Sequence, residues 1–249
     1  MASGAGGQIA LLKTSSLYDA VDSANLWTNF VSESIEHTLE ELEEGAISAN
    51  RFAPPSHKGL DFGEGDITFE PNPNAIGHFI MGAFGTIISS LVSIDATGGA
   101  TTVDSATAIG PYQWHQFTLR KSAYSDRSFL EPYGVMVYKD TGSAFMLNGA
   151  IFTGLEMTIA GNALVSATVN VMGREMRRIN RIAAIQSLVS SGGRPWVWDM
   201  ASVEVSTIGT ASGGLVADSN FEELSLSLET PHEGVVLLDG TKFYAEFQP

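Results

Sequence analysis

Residues 149–173, GAIFTGLEMTIAGNALVSATVNVMG, constrain the fold more than any other segment. Leu155, Met157 and Ile159 alternate with polar partners, Gly161-Asn162 follows, and the run from Leu164 to Val171 returns. A period of two marks a strand with one wet face, because successive strand side chains point to opposite sides. Glycine and asparagine tolerate the left-handed backbone of a tight turn. The segment therefore predicts a long β-hairpin that must bury one face against something else.

The same grammar recurs along the chain. DITFEP (66–71) alternates Ile67 and Phe69 with polar residues, and in YQWHQFTLRKS Phe117 and Leu119 share one face while Tyr112 and Trp114 take the other. VMVYKDTGSAFML places a Lys-Asp-Thr-Gly turn between two apolar runs, FEELSLSLE alternates Leu224, Leu226 and Leu228, and VVLLDGTKFYAEF turns at Asp239-Gly240. One helix interrupts the β pattern. Asn72 can cap it and Pro73 suits its first position; Ile76, Phe79, Ile80 and Ala83 follow at helical spacing, and Gly82 or Gly85 can end it. NRFAPPSHKGLDFGEGD reads as a loop from its prolines and glycines. REMRRINRIAAIQSLV (174–189) breaks the β pattern and reads as a helix or a long loop. Residues 1–32 read as an arm, and the polar stretch within 88–111 as a long loop or an irregular strand pair.

With 249 residues and 44% hydrophobic content the chain can bury a sizeable core, and no linker divides it, so one domain over 1–249 is expected. Charged residues make up only 16%, against roughly 25% in an average domain. That suits an assembly protein whose surfaces are covered by neighbours. Twenty-eight acidic residues against 13 basic give a net charge of −15, which opposes broad binding to nucleic acid, since phosphate contacts rely on Lys and Arg. Cysteine is absent, excluding disulfides, zinc–thiolate sites, iron–sulfur clusters and thiol nucleophiles. The N-terminus lacks the basic and apolar regions of a signal peptide. Residues 71–94 are uncharged over a bilayer-spanning length, yet they hold two prolines, three glycines and a histidine; a short buried helix and loop is the better expectation, with no membrane partner.

Signs of catalysis are missing. His37, His57, His78, His115 and His232 show no metal-ligand spacing, and neither a GxSxG elbow nor a Walker loop occurs. Asp61, Glu64 and Asp66 could hold a hard cation loosely, but they lack EF-hand spacing and read better as solvated acids. No catalytic residue, metal or cofactor is expected. Two charge features remain. ESIEHTLEELEEG (33–45) holds six glutamates, and Arg174, Arg177, Arg178 and Arg181 are four of the 13 basic residues. Each is either a solvated face or part of a contact between copies of the chain. By spacing alone the acidic block is helical, with Ile35, Leu39 and Leu42 at i, i+4 and i+7.

The order of these elements resembles the tail tube (major tail) proteins of long-tailed bacteriophages. The resemblance runs from about Glu33 to about Phe243, through GDITFEPNP, AIGHFIMGAFG, YQWHQFTL, the long hairpin, RPWVWDMASVEV and the closing FEELSLSLE...LLDGTKF. It implies a mainly β domain of two packed antiparallel sheets, a sandwich or partial barrel, flanked by one α-helix. It further implies a non-enzymatic virion protein, made in the host cytoplasm, whose copies form hexameric rings stacked into a hollow tube. Partners would be other copies of itself and further tail proteins such as the tape measure, the terminator and the tail tip. Double-stranded DNA would pass through without specific binding. On this reading the acidic block is a first strand, Glu36, Glu40 and Glu43 are candidate lumen-facing acids, and Arg174, Arg177, Arg178 and Arg181 form a basic patch between subunits. Competing readings are a type VI secretion tube protein, a head-to-tail joining protein, or a soluble β-sandwich hydrolase.

Overall fold

The computed structural model describes residues 7–15, 26–42, 57–94, 100–102, 112–119, 130–139, 144–179, 194–201, 204–205, 216–217, 222–230, 232–236 and 242–246. In chain order the elements are β1 (Gln8–Lys13), β2 (Leu26–Thr28), β3 (Ser32–Glu33), β4 (Glu36–Leu42), β5 (His57–Phe69) and helix α1 (Ile76–Phe84). Then come β6 (Gly85–Ile94), β7 (Ala100–Thr102), β8 (Tyr112–Leu119), β9 (Tyr133–Tyr138), β10 (Ala144–Ala160) and β11 (Ser166–Ile179). A 3-10 turn (Trp198–Met200) precedes β12 (Glu204–Val205), β13 (Val216–Ala217), β14 (Glu223–Glu229), β15 (His232–Val236) and β16 (Lys242–Glu246). The protein is mainly β, its strand pairs are antiparallel, and α1 is the single α-helix among the described residues.

Nine strands form one sheet in the order β2-β1-β9-β10-β11-β5-β3, with β14 added to the second half of β10 and β4 to the first half of β5. This sheet cannot be flat. Its two ends, β2 and β3, are joined only by Asn29, Phe30 and Val31, which reach at most about 14 Å. Six inter-strand spacings would separate them by about 29 Å in a flat sheet. The sheet must therefore curl into a partial barrel. An ion pair from Lys139 Nζ to Glu33 Oε1, at 2.5 Å, links β3 to the end of β9.

The core lies inside the curl. Ile9 and Leu11, Ile67 and Phe69, Val135 and Val137, Phe152 and Leu155, and Val169 and Val171 bury one face of the sheet against Ile76, Phe79 and Ala83 of α1. Aromatic rings tie helix to sheet. Phe79 stacks on Phe69 at 4.2 Å and leans on Phe152 at 5.6 Å, and Phe152 stacks on Tyr133 at 5.0 Å. Gly82 is the residue that permits this approach, since a Cβ there would collide with the Phe152 ring. α1 also packs on the three-stranded sheet β7-β6-β8, where Phe84 meets Phe117. Gly85 ends the helix in a left-handed conformation (φ 86°), donating its N–H to the Met81 carbonyl. Asn72 acts one turn early: its side-chain oxygen accepts from the backbone N–H groups of Asn74 and Ala75.

Several local expectations change. Residues 8–13, expected within an arm over 1–32, are a strand between β2 and β9 with Ile9, Ala10 and Leu11 buried. A strand buried on both faces loses its alternation, which hid it in the sequence. The loop expected over 50–66 is strand from His57, and its glycines serve close strand contact. A Cβ on Gly63 would lie 2.6 Å from Leu147, and one on Gly65 (φ 154°) 2.6 Å from the Ser34 carbonyl. Within 88–111 the strand-pair alternative describes β6 and β7, while 95–99 and 103–111 lie outside the described residues. The arginine-rich stretch is neither helix nor loop as far as Ile179, because β11 continues through it in register with β10. From Glu36 to Leu42 the acidic block is the strand that the resemblance implied, not the helix of its spacing, since pairing with β5 overrides local helix propensity.

Candidate functional site

The half of the sheet that β14 and β4 extend has two unlike faces. Residues directly opposite one another in an antiparallel pair share a face, so the register reads out each side. Toward the core stand Ile67 and Phe69, Ala167 and Val169, Leu155, Met157 and Ile159, and Leu224, Leu226 and Leu228. On the reverse, Glu36 faces Glu64, Asp66 faces Asn170, Thr68 faces Thr168, Thr168 faces Glu156, and Glu156 faces Ser227. Thr158 with Ser225, Ala160 with Glu223, and Gly154 with Glu229 complete that side. It carries six carboxylates, and no Lys or Arg occurs in 64–68, 154–160, 166–170 or 223–229. The acids are exposed; Asp66 Oδ1 accepts a 2.5 Å bond from the Asn170 amide, and Thr68 and Thr168 share a hydroxyl bond of 3.1 Å. Glu36 opposite Glu64 sets like charges across adjacent strands, an arrangement that costs stability in isolation. The result is an exposed, predominantly negative face on a continuous sheet.

The candidate residues fall on it unevenly. Glu36 belongs to the wall. Glu40 lies on the same strand, exposed, but the register slips between Leu39 and Glu41, so alternation from Glu36 does not carry through to it. Glu43 and Arg181 lie outside the described residues. Arg174, Arg177 and Arg178 share the far half of β11, beyond the acidic stretch, with Arg178 exposed and the other two partly buried. Sequence reasoning missed Glu156, Glu223 and Glu229 as members of the acidic face. Their signal was present in the alternation of two strands whose pairing the sequence did not state.

Asp61, Tyr133 and His78 are titratable groups held within the fold. Asp61 is buried and lies 2.7 Å from His37 Nε2. The buried Tyr133 hydroxyl donates to the His78 carbonyl at 3.2 Å, and desolvation, then the Glu131 carboxylate, raise its pKa so that it stays a neutral donor. Burial, then the Lys13 ammonium, lower the pKa of His78, which is neutral at neutral pH. Among the described residues no group of three or more His, Asp or Glu is arranged to hold a metal ion, and Asp61, Glu64 and Asp66 alternate along one strand, with Asp61 facing away from the other two. No helix among the described residues is long and apolar enough to cross a membrane.

No curated protein matches the sequence. The model of one protein family, described as phage tail tube protein, matches residues 4–245. With nearly its whole length matched and a mainly β antiparallel fold around one helix, the chain belongs to the phage tail tube protein family.

Proposed function

We propose that this structural tail subunit forms hexameric rings that stack into a hollow tube, with the acidic face of β4, β5, β11, β10 and β14 turned to the lumen as the wall of a DNA conduit. The observation that carries this reading is the six-carboxylate face, with no Lys or Arg in its segments 64–68, 154–160, 166–170 and 223–229. Duplex DNA carries one negative charge per roughly 1.7 Å of axis, and a basic wall would bind it by releasing counterions. An acidic wall repels it over about 8 Å at physiological salt, the scale of a narrow channel. Five strands per copy in six copies give a wall roughly 45 Å across between backbones at 4.8 Å per strand, room for a duplex once side chains are in place. No catalytic step is assigned to the chain. Copies of itself, the tape measure, the terminator and the tail tip are its proposed partners, with synthesis in the host cytoplasm before incorporation into the virion tail.

Charge reversal tests the proposal. Particles carrying Glu36→Lys, Glu64→Lys and Glu156→Lys should assemble tails of normal length but deliver DNA poorly. Adding Glu40→Lys and Glu43→Lys tests whether those acids share the lumen. Normal delivery by intact particles with the first three changes would refute the lumen assignment.

A further inference from the structure

Backbone pairing does not close the curl of the nine-stranded sheet. Among the described residues β2 pairs only with β1 and β3 only with β5. The two ends are spanned instead by the Asn29–Val31 connection and by side chains. β3 and β4 keep one register on β5, from Ser32 opposite Thr68 to Glu36 opposite Glu64. Glu33, Ile35 and His37 therefore share the face turned into the curl, and Ser34 and Glu36 share the other. Ile35 is buried in the core, between two charge contacts. On one side His37 Nε2 lies 2.7 Å from Asp61 Oδ1, within the β4–β5 pair. On the other, Glu33 Oε1 meets Lys139 Nζ, just past β9, at 2.5 Å, while Glu33 Oε2 accepts from the Ile35 N–H at 3.1 Å. The Glu33 side chain is 8% exposed and that of Lys139 42%. The Lys139 ammonium also lies 6.0 Å from the centre of the Phe145 ring.

We propose that residues 29–35 form a strap that latches the curl shut, with the Lys139–Glu33 ion pair as its catch and the His37–Asp61 contact as its pivot. Releasing the catch lets the strap lift off β5 while the β10–β11 ladder stays formed. The strap's hold on β5 is short. Val31 N–H donates to the Thr68 carbonyl at 2.7 Å and Ser34 N–H to the Asp66 carbonyl at 2.9 Å, and the Ser34 hydroxyl accepts from Asp66 N–H at 2.9 Å. Val31, Ser32 and Ser34 are exposed, so Phe30, Glu33 and Ile35 make the inward contacts. Few buried contacts and exposed backbone bonds mark a segment that opens on its own. The catch is asymmetric. Without Lys139 the Glu33 carboxylate is left buried and uncompensated, whereas without Glu33 the half-exposed ammonium reaches water. The strap runs directly into Glu36 on the opposite face, so a contact inside the curl sets the place of an outer acid. This latch does not depend on that face lining a lumen.

Hydrogen–deuterium exchange of single amides, read by NMR on the whole unassembled chain, tests the latch. In Lys139→Gln the amides of Val31, Ser34 and Ile35 should exchange about tenfold faster or more, with the β10–β11 ladder amides unchanged. Glu33→Gln should have a smaller effect, since it keeps an oxygen for the Ile35 N–H and strands no buried charge. Adding Glu33→Gln to Lys139→Gln should return the three amides to the Glu33→Gln rates, a rescue that two independent contacts would not give. Unchanged rates at the three amides in Lys139→Gln would overturn the catch. Equal acceleration of the β10–β11 amides, or failure of Lys139→Gln to fold, would show a brace of the whole sheet and overturn the strap. Effects that add in the double variant would overturn the pairing of the two residues.

Discussion

Strand β10 spans two environments. From Ala144 to Phe152 it runs between β9 and β11, with α1 over one face, and all but one residue is buried. From Gly154 to Ala160 it runs between β11 and β14, with exposed Glu156 on one side and half-exposed Met157 and Ile159 on the other. The first half is enclosed by the fold, and the second presents exposed side chains on the proposed lumen face. On that reading stability and function occupy separate ends of one strand, so substitutions in the two halves should have different readouts.

The largest effect expected is in the first half. Phe79→Ala or Phe152→Ala removes a ring from the stack over Tyr133 and Phe69 and should cost about 3–5 kcal/mol in urea denaturation of the monomer. Gly82→Val should be comparably damaging, because its Cβ overlaps the Phe152 ring. If either is silent, α1 does not seat on β10 as described. Tyr133→Phe is milder, losing one buried hydroxyl donor to the His78 carbonyl for about 1 kcal/mol.

His78 gives a pH test of the same region. Its folded pKa lies below 6.5, so the unfolded chain binds more protons in the window just below that value, and stability falls as pH drops through it. Replacing His78 with Gln should flatten that part of the stability–pH curve. An unchanged slope would show that the loss arises elsewhere. In the second half, Glu156→Gln and Glu64→Gln should move monomer stability by less than about 0.5 kcal/mol, while Glu36→Gln, which relieves the pair with Glu64, should stabilise by a few tenths. A large loss from any of these acids would break the division between the halves.

The same division explains what was legible in the sequence. Alternation is a signal of half-burial, so Leu155–Ile159 and Leu224–Leu228 were readable as strands, and Gly161-Asn162, with Asn162 at φ 60°, as the turn from β10 into β11. β1 and the buried part of β10 carry little alternation, which left Ile9–Leu11 looking like an arm. The local spacing of β4 and of the end of β11 misled for another reason. Glu-rich and Arg-rich runs favour helix locally, and only pairing with β5 and β10 makes them strands. The acidic wall was half visible. Glu36 stood out in a dense block, whereas Glu156, Glu223 and Glu229 are isolated acids that only register brings onto one face.

The most direct test of the central claim is a cryo-electron microscopy map of assembled tubes at side-chain resolution. The account predicts Glu64, Asp66 and Glu156 on the inner wall, with α1 on the outer side of the sheet. A map placing α1 toward the channel, or these carboxylates on the outer surface, would contradict it.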